Sequence, residues 1–253
     1  MNRQSCYMKK KYIYFIIAAL AFFFAGCNQT PGNHLSKKAK KRQPINYANY
    51  VVEIITYKLK KGVPRAEYTQ LDSIVQLMYT QKQPGYISKE SGIDQKGNNW
   101  LVVLAWDNLA HADADQHLFS KSPLWKKAQK IIDTATIERK RFFVRDDHSS
   151  SLKDVKPYVI DLATFKENSQ VQRDTFEKRD MEVEADFISR QTGYITRRIG
   201  KAENGERLMM IFWKTLADAD AGMKAFLKEQ SVADYNKMIN WKTVETNRFQ
   251  AVN

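Results

Sequence analysis

Read for the spacing of its apolar residues, the chain divides into a leader and two similar halves. An uncharged, largely apolar run extends from Tyr12 to Ala25. It is shorter than the roughly 20 residues a membrane-spanning helix needs. With Lys9-Lys10-Lys11 ahead of it, it reads as the core of a secretory signal, residues 1–26. Further on, Val51–Tyr57 is rich in β-branched residues and predicts a strand. After Pro64, a residue suited to a first helical turn, Leu71, Ile74, Val75 and Met78 recur at helical spacing and predict a helix that buries them. Gly85 stands where a helix C-cap glycine is expected. Tyr86–Glu90 and Trp100–Trp106 predict two strands around an Asp94–Gly97 turn. Asn108 is placed to cap a second helix, and Thr136–Val144 closes the unit as a strand.

The same unit then recurs. Val-Val-Glu-Ile-Ile-Thr-Tyr-Lys at 51–58 lies over Val-Ile-Asp-Leu-Ala-Thr-Phe-Lys at 159–166, an offset of 108. That offset also pairs Gln83-Pro-Gly-Tyr-Ile-Ser with Gln191-Thr-Gly-Tyr-Ile-Thr. A one-residue slip near Gly97 and Gly205 changes it to 107, pairing Trp106 with Trp213 and Asn108–Ala114 with Thr215–Ala221. The match continues to Thr136–Phe142 and Thr243–Phe249. A correspondence sustained over a whole domain is the mark of duplication, and the slip falls where a hairpin loop tolerates a change of length.

Each copy has the order β-α-β-β-α-β of a ferredoxin-like domain. Residues 47–145 form the first domain and 155–253 the second, joined through 146–154. Trp100-Leu-Val-Val-Leu-Ala-Trp106 and Leu208-Met-Met-Ile-Phe-Trp213 are apolar on both faces. A sheet with helices on one side only would alternate apolar with polar residues, so the second face must also be covered. The economical cover is the sheet of the other copy. The expectation is therefore an α+β protein in which two tandem ferredoxin-like domains pack sheet to sheet as a barrel within one chain.

Composition adds limits. At 253 residues with five Trp and twelve Tyr, the chain can fill two cores of about 100 residues each. The formal charge of +13 is concentrated near the start. Arg3 and Lys9–Lys11 lie in the leader, and Lys37, Lys38, Lys40, Lys41 and Arg42 lie in the segment that follows. The folded part is only mildly basic, which argues against a nucleic-acid partner. The only cysteines are Cys6 and Cys27. Phe24-Ala25-Gly26-Cys27 resembles a bacterial lipobox, so Cys27 is expected to be acylated and to anchor the protein in a membrane of the cell envelope, facing away from the cytoplasm. Residues 27–46 would then be a basic tether, able to add attraction to anionic headgroups.

The repeated unit resembles the dimeric α+β barrel superfamily, and most closely its antibiotic-biosynthesis-monooxygenase-type domains. The resemblance rests on Pro84-Gly85-Tyr86-Ile87-Ser88, the strand ending in Trp106, and Leu109-Ala-His-Ala-Asp-Ala114 with Phe119. Gly193–Thr196, Trp213 and Leu216–Ala221 match them in the second copy. It implies the fold; members of the family range from cofactor-independent monooxygenases and isomerases to haem-degrading enzymes. The haem-degrading branch carries a Trp and, ten residues later, an iron-binding His. Those positions here are Phe119 and Gln129, and Phe226 and Asn236, so no haem is expected. No nucleotide-binding loop or flavin signature occurs either, and any oxygenation would need no bound cofactor.

Glu53 and Asp161 are matched acids within apolar strands, where a carboxylate pointing into a barrel is costly unless paired or protonated. Tyr57 and Phe165 share their strand faces, and Trp106 and Trp213 end the neighbouring strands. These six residues are candidates for a site between sheet and helices. Glu53 would be a general base for a phenolic substrate, or a structural ion pair with Arg139 or Arg141. His111, Asp113, Asp115 and His117 fall on two different faces of a helix, so no metal cage is expected there. Two functional readings follow: a membrane-tethered barrel that binds a small apolar or aromatic molecule, or a cofactor-independent monooxygenase or isomerase. For the anchor, Cys27→Ser is expected to abolish labelling of the protein by a fatty-acid analogue and to release it from the membrane fraction. Label persisting in that variant would refute acylation at Cys27.

Overall fold

The computed structural model describes residues 50–145 and 158–252; the leader, Cys27, the tether and the 146–154 linker lie outside the described residues. The first half comprises β1 (Tyr50–Leu59), α1 (Arg65–Met78), β2 (Tyr86–Asp94), β3 (Asn99–Trp106), α2 (Leu109–Lys121), α3 (Pro123–Ile131) and β4 (Ile132–Val144). The second comprises β5 (Val159–Glu167), α4 (Arg173–Asp186), β6 (Tyr194–Lys201), β7 (Arg207–Trp213), α5 (Leu216–Lys228), α6 (Ala233–Met238) and β8 (Ile239–Ala251). Asn108 accepts a hydrogen bond from His111 N (2.9 Å), and Thr215 accepts one from Asp218 N (3.1 Å), so both start their helices as N-caps. The second helical stretch of the first half is broken in two. Ser122 caps a new helix and Pro123, lacking an N–H, occupies its first turn.

Within each half the strands run antiparallel in the order β4-β1-β3-β2 and β8-β5-β7-β6. The sheet edges then join, β2 to β8 and β4 to β6, closing an eight-stranded barrel. At the seams the glycine pair Gly92 and Gly200 lies opposite Ala251 and Val144. A Cβ on Gly92 would sit 2.9 Å from Phe249 Cβ, and one on Gly200 would sit 3.0 Å from Phe142 Cβ, so both seams depend on the missing side chain. Alternation accounts for the doubly apolar strands. Val52, Ile54, Leu101, Val103 and Ala105 fill the lumen with their counterparts from the second half. Trp100, Val102, Leu104 and Trp106 turn outward under the helices.

Three expectations need correction. In α1 the inward face is Tyr68, Leu71 and Val75, whereas Ile74 and Met78 are 37% and 63% exposed. Gly85 and Gly193 do not cap helices. A 3-10 turn intervenes (Thr80–Lys82; Ile188–Arg190), and both glycines, at φ 74°, turn the chain into β2 and β6. Glu53 and Asp161 do not point into the barrel. They lie on the helix-facing side, because Val52 and Ile54 take the lumen.

The acid that does enter the lumen is Glu90. It stands opposite Val103, and Arg198 stands opposite Met210, so both face inward. Arg198 donates two hydrogen bonds to Glu90, Nη1 to Oε2 at 2.9 Å and Nη2 to Oε1 at 2.8 Å, with both side chains buried. Arg198 also lies over the Phe212 ring. The two positions are separated by the repeat offset of 108, so equivalent sites in the halves carry opposite charges. Glu90→Gln is expected to destabilise the protein by about 3–5 kcal/mol, the usual cost of stranding a buried partner. Exchanging both residues should recover most of that loss, since pseudo-symmetry returns the same pairing. Urea unfolding of Glu90→Gln measures the loss, and a double-mutant cycle of the wild type, Glu90→Arg, Arg198→Glu and the exchanged pair measures the coupling.

Candidate functional site

Between the first-half sheet and helices α1, α2 and α3 lies a cavity of about 130 Å³. Its walls are largely apolar, with Leu71, Val102, Leu104, Phe119, Trp125 and Ile132 among them. Ala128 of α3 forms a small-residue patch in that lining. The groups that give the space its chemistry are Tyr57 from β1, Tyr68 and Asp72 from α1, Lys89 from β2, Asp115 from α2 and Arg139 from β4.

Tyr57 contributes through a buried chain of hydrogen bonds. Its hydroxyl contacts that of Tyr68, which donates to Asp72 Oδ1 at 3.2 Å. Asp72 also accepts from Lys89 Nζ (2.6 Å) and Ser91 Oγ (2.9 Å). Because Tyr68 gives its one proton to Asp72, Tyr57 must donate to Tyr68, leaving the Tyr57 oxygen free to accept. Burial raises both tyrosine pKa values, so both stay protonated at neutral pH.

Asp115 is the singular group. Its residue is 7% exposed, and Oδ1 has no hydrogen-bond partner among the described residues. Desolvation, helped by the nearby charge of Glu53, pushes its carboxyl up to about 7, against the pull of Arg139 and Arg141. Spaced four residues before Phe119, it sits on the helix face that covers the cavity.

Of the residues singled out from sequence, Tyr57 lines the cavity and the other five do not. Glu53 is fully buried and accepts from Arg141 Nε (2.6 Å) and Arg139 Nη1 (3.1 Å), the geometry of a structural ion pair. Arg141 continues to Asp113 and to Gln116 Oε1 (2.8 Å). Asp161 repeats this with Arg248, which reaches on to Asp220. Its carboxyl is raised by burial and partly restored by that arginine. Trp106 and Trp213 are buried, each edge-on to a tyrosine, Tyr86 or Tyr194, at 6.1 Å. Phe165 packs on Phe176 in the second-half core.

Tyr68, Asp72 and Lys89 are not among the sequence candidates, and Asp115 enters there only as a metal ligand that is set aside. The differences between the halves held a signal for three of them: Asp115 aligns with Gly222, Tyr68 with Phe176 and Lys89 with Arg197. No imidazole lines the cavity. His111 pairs with Asp107 (2.6 Å), His117 lies beside Lys121 (2.8 Å), and Gln129 is exposed on α3. Among the described residues, no group of three or more His, Cys, Asp or Glu is placed to hold a metal ion.

No family model and no curated protein matches the chain. Solved structures do. A proposed monooxygenase from Fusobacterium nucleatum aligns with a TM-score of 0.63 at 11% identity, over 82% of this chain and 94% of that one. An anthrone oxidase-like protein aligns at 0.55 and 12% identity, over 83% and 95%. A chlorite dismutase variant from Candidatus Nitrospira defluvii aligns at 0.54 and 9% identity, over 81% and 91%. Identities this low speak for the fold alone. The fold is that of a dimeric α+β barrel, with both halves of the barrel supplied by a single chain.

Proposed function

We propose that the first-half cavity binds a small aromatic molecule bearing an ionisable hydroxyl, and that Asp115 takes a proton from it. The observation that carries this reading is a buried carboxyl with an unpartnered oxygen, set in the wall of an aromatic cavity. A base whose pKa lies near the working pH is well matched to proton transfer. The Tyr57 oxygen offers a second acceptor for a ligand hydroxyl. The resulting electron-rich anion would itself reduce dioxygen, giving a cofactor-independent monooxygenase, or would be reprotonated elsewhere, giving an isomerase. The fold's occurrence in a proposed monooxygenase and in an anthrone oxidase-like protein supports the first outcome.

The second reading is binding without turnover, on a barrel tethered to a membrane through acylated Cys27. It is favoured by the other charged groups that line the cavity, which are already paired: Arg139 is held by Glu53, and Asp72 by Lys89.

Oxygen uptake with phenols under air separates the readings. Turnover is expected to rise with pH through about 7, as Asp115 loses its proton. Asp115→Asn should lower it by about 10²–10⁴-fold and flatten the profile. Uptake equal to the enzyme-free control would leave binding alone.

The same carboxyl makes stability depend on pH. Its folded value is raised, so between the ordinary value of 3.8 and about 7 the folded state holds a proton that the unfolded state has lost. Its stabilising contribution is therefore present at acid pH and lost as pH rises through 7. Asp115→Asn should show a smaller fall in unfolding free energy between pH 5 and pH 8 than the wild type, measured in urea.

A further inference from the structure

The two halves treat one place in the fold in opposite ways. Ala128 on α3 and Tyr235 on α6 are equivalent at the offset of 107, and β4 and β8 begin four residues after each. In the first half, Ala128 leaves the cavity open. In the second, Tyr235 is fully buried, its ring centroid 5.3 Å from Phe176 and 6.2 Å from Phe226, and its hydroxyl donates to Asp180 Oδ1 at 2.8 Å. Phe176, Phe226 and Asp180 are the equivalents of Tyr68, Phe119 and Asp72, all three of which line the first-half cavity.

We infer that the Tyr235 side chain marks the position and the chemistry of the ligand of the first half: a single-ring phenol, its ring between Tyr68 and Phe119 and its hydroxyl directed at the Tyr57–Tyr68–Asp72 cluster. Several observations agree. The phenol ring of a tyrosine is the occupant this framework packs around in the second half. Without it, the Asp72 side chain is 18% exposed, against 3% for Asp180. The open volume of about 130 Å³ is close to that of cavities that take one benzene ring. The hydroxyl has a place to go. Tyr68 and Tyr57 carry oxygens where Phe176 and Phe165 have none, and the free acceptor on Tyr57 suits a donor from the ligand. A quinone carbonyl, which only accepts, would meet the Tyr57 oxygen without a proton between them.

This inference rests on the proposal that the first-half cavity is the ligand site, but not on proton transfer to Asp115. The test uses p-cresol, the tyrosine side chain as a free molecule, with toluene as its hydroxyl-free counterpart, followed by calorimetry and thermal unfolding. The wild type is expected to bind one p-cresol, roughly tenfold more tightly than toluene, as one net hydrogen bond allows. Ala128→Tyr should fold and abolish that binding. Tyr235→Ala should open the matching space in the second half, gaining a second p-cresol site or, if weakened, recovering thermal stability with p-cresol more than with toluene. Wild-type affinity retained in Ala128→Tyr, no hydroxyl preference in the wild type, or a Tyr235→Ala protein indifferent to p-cresol would overturn it. Binding lost in Ala128→Tyr together with a pH profile unchanged in Asp115→Asn would refute the proton-transfer step and leave this inference standing. Phenol turnover surviving in Ala128→Tyr would do the reverse.

Discussion

Closing two four-stranded sheets into one barrel places equivalent residues of the halves near each other across the pseudo-two-fold axis. The constraint is sharpest at Glu90 and Arg198, which meet in a lumen lined mainly by apolar side chains together with Tyr50 and Tyr158. Were the halves identical, two carboxylates or two guanidiniums would face each other in that apolar space. Like charges there are far costlier than at a surface, since neither water nor salt screens them. One Glu and one Arg turn the same juxtaposition into a bidentate, charge-assisted pair. Such a pair requires unlike halves, and covalent linkage of the two copies meets that requirement at every folding event. The pair also defines register: slipping either edge strand by one residue would turn Glu90 or Arg198 out of the lumen.

Freed from identity, the helix layers have diverged. The second half is filled with side chains: Arg197 bridges Asp180 and Glu184, Tyr235 adds a ring, and Arg145 reaches across from the end of β4 to Glu184. The first half has Ala128 for Tyr235 and more polar residues at several other matching places, with Trp125 for Val232 the exception, and a cavity results. One half therefore serves mainly as a rigid wall that completes the barrel, and the other can keep an unfilled space. A cavity lowers stability in proportion to its volume, so leaving one helix layer open costs less than leaving both open. The more closely filled helix layer of the second half holds the open half in place.

Much of the fold was legible in the sequence because duplication prints every element twice. Weak strand signals such as Val51–Tyr57 and Val159–Glu167 reinforced each other, and the doubly apolar Trp100–Trp106 announced a second covered face. What failed was local. Ile74 and Met78 have the right spacing for a buried stripe, yet the stripe that packs is rotated toward Tyr68 and Leu71, whose partners lie far along the chain. Glu53 on β1 and Asp161 on β5 read as lumen residues because alternation fixes that two faces exist without saying which is which. The site was harder still. Shared residues drew attention to Glu53/Asp161 and Trp106/Trp213, and these form the common framework. The cavity is built from differences: Asp115 against Gly222, Ala128 against Tyr235, Tyr57 against Phe165. In a duplicated chain, conserved pairs report the fold, and broken pairs report where one copy has taken a separate role.

Glu53 links the two levels. It is as buried as any residue of the core, so its charge must be met by cations nearby. The second half meets the equivalent charge of Asp161 with Arg248 alone. The first half uses Arg141 in the same way and adds Arg139, where the second half has Thr246. The extra cation coincides with the extra acid, since Asp115 aligns with Gly222. Two carboxyls then share the field of two arginines, and Glu53, in direct contact with both, keeps most of it. Asp115 has no contact of its own with either arginine and stays desolvated, which holds its proton until about pH 7. Desolvation thus raises the proton affinity of Asp115, and the structural ion pair in the framework adjusts it. The divergence at residue 139 makes sense only together with the divergence at residue 115.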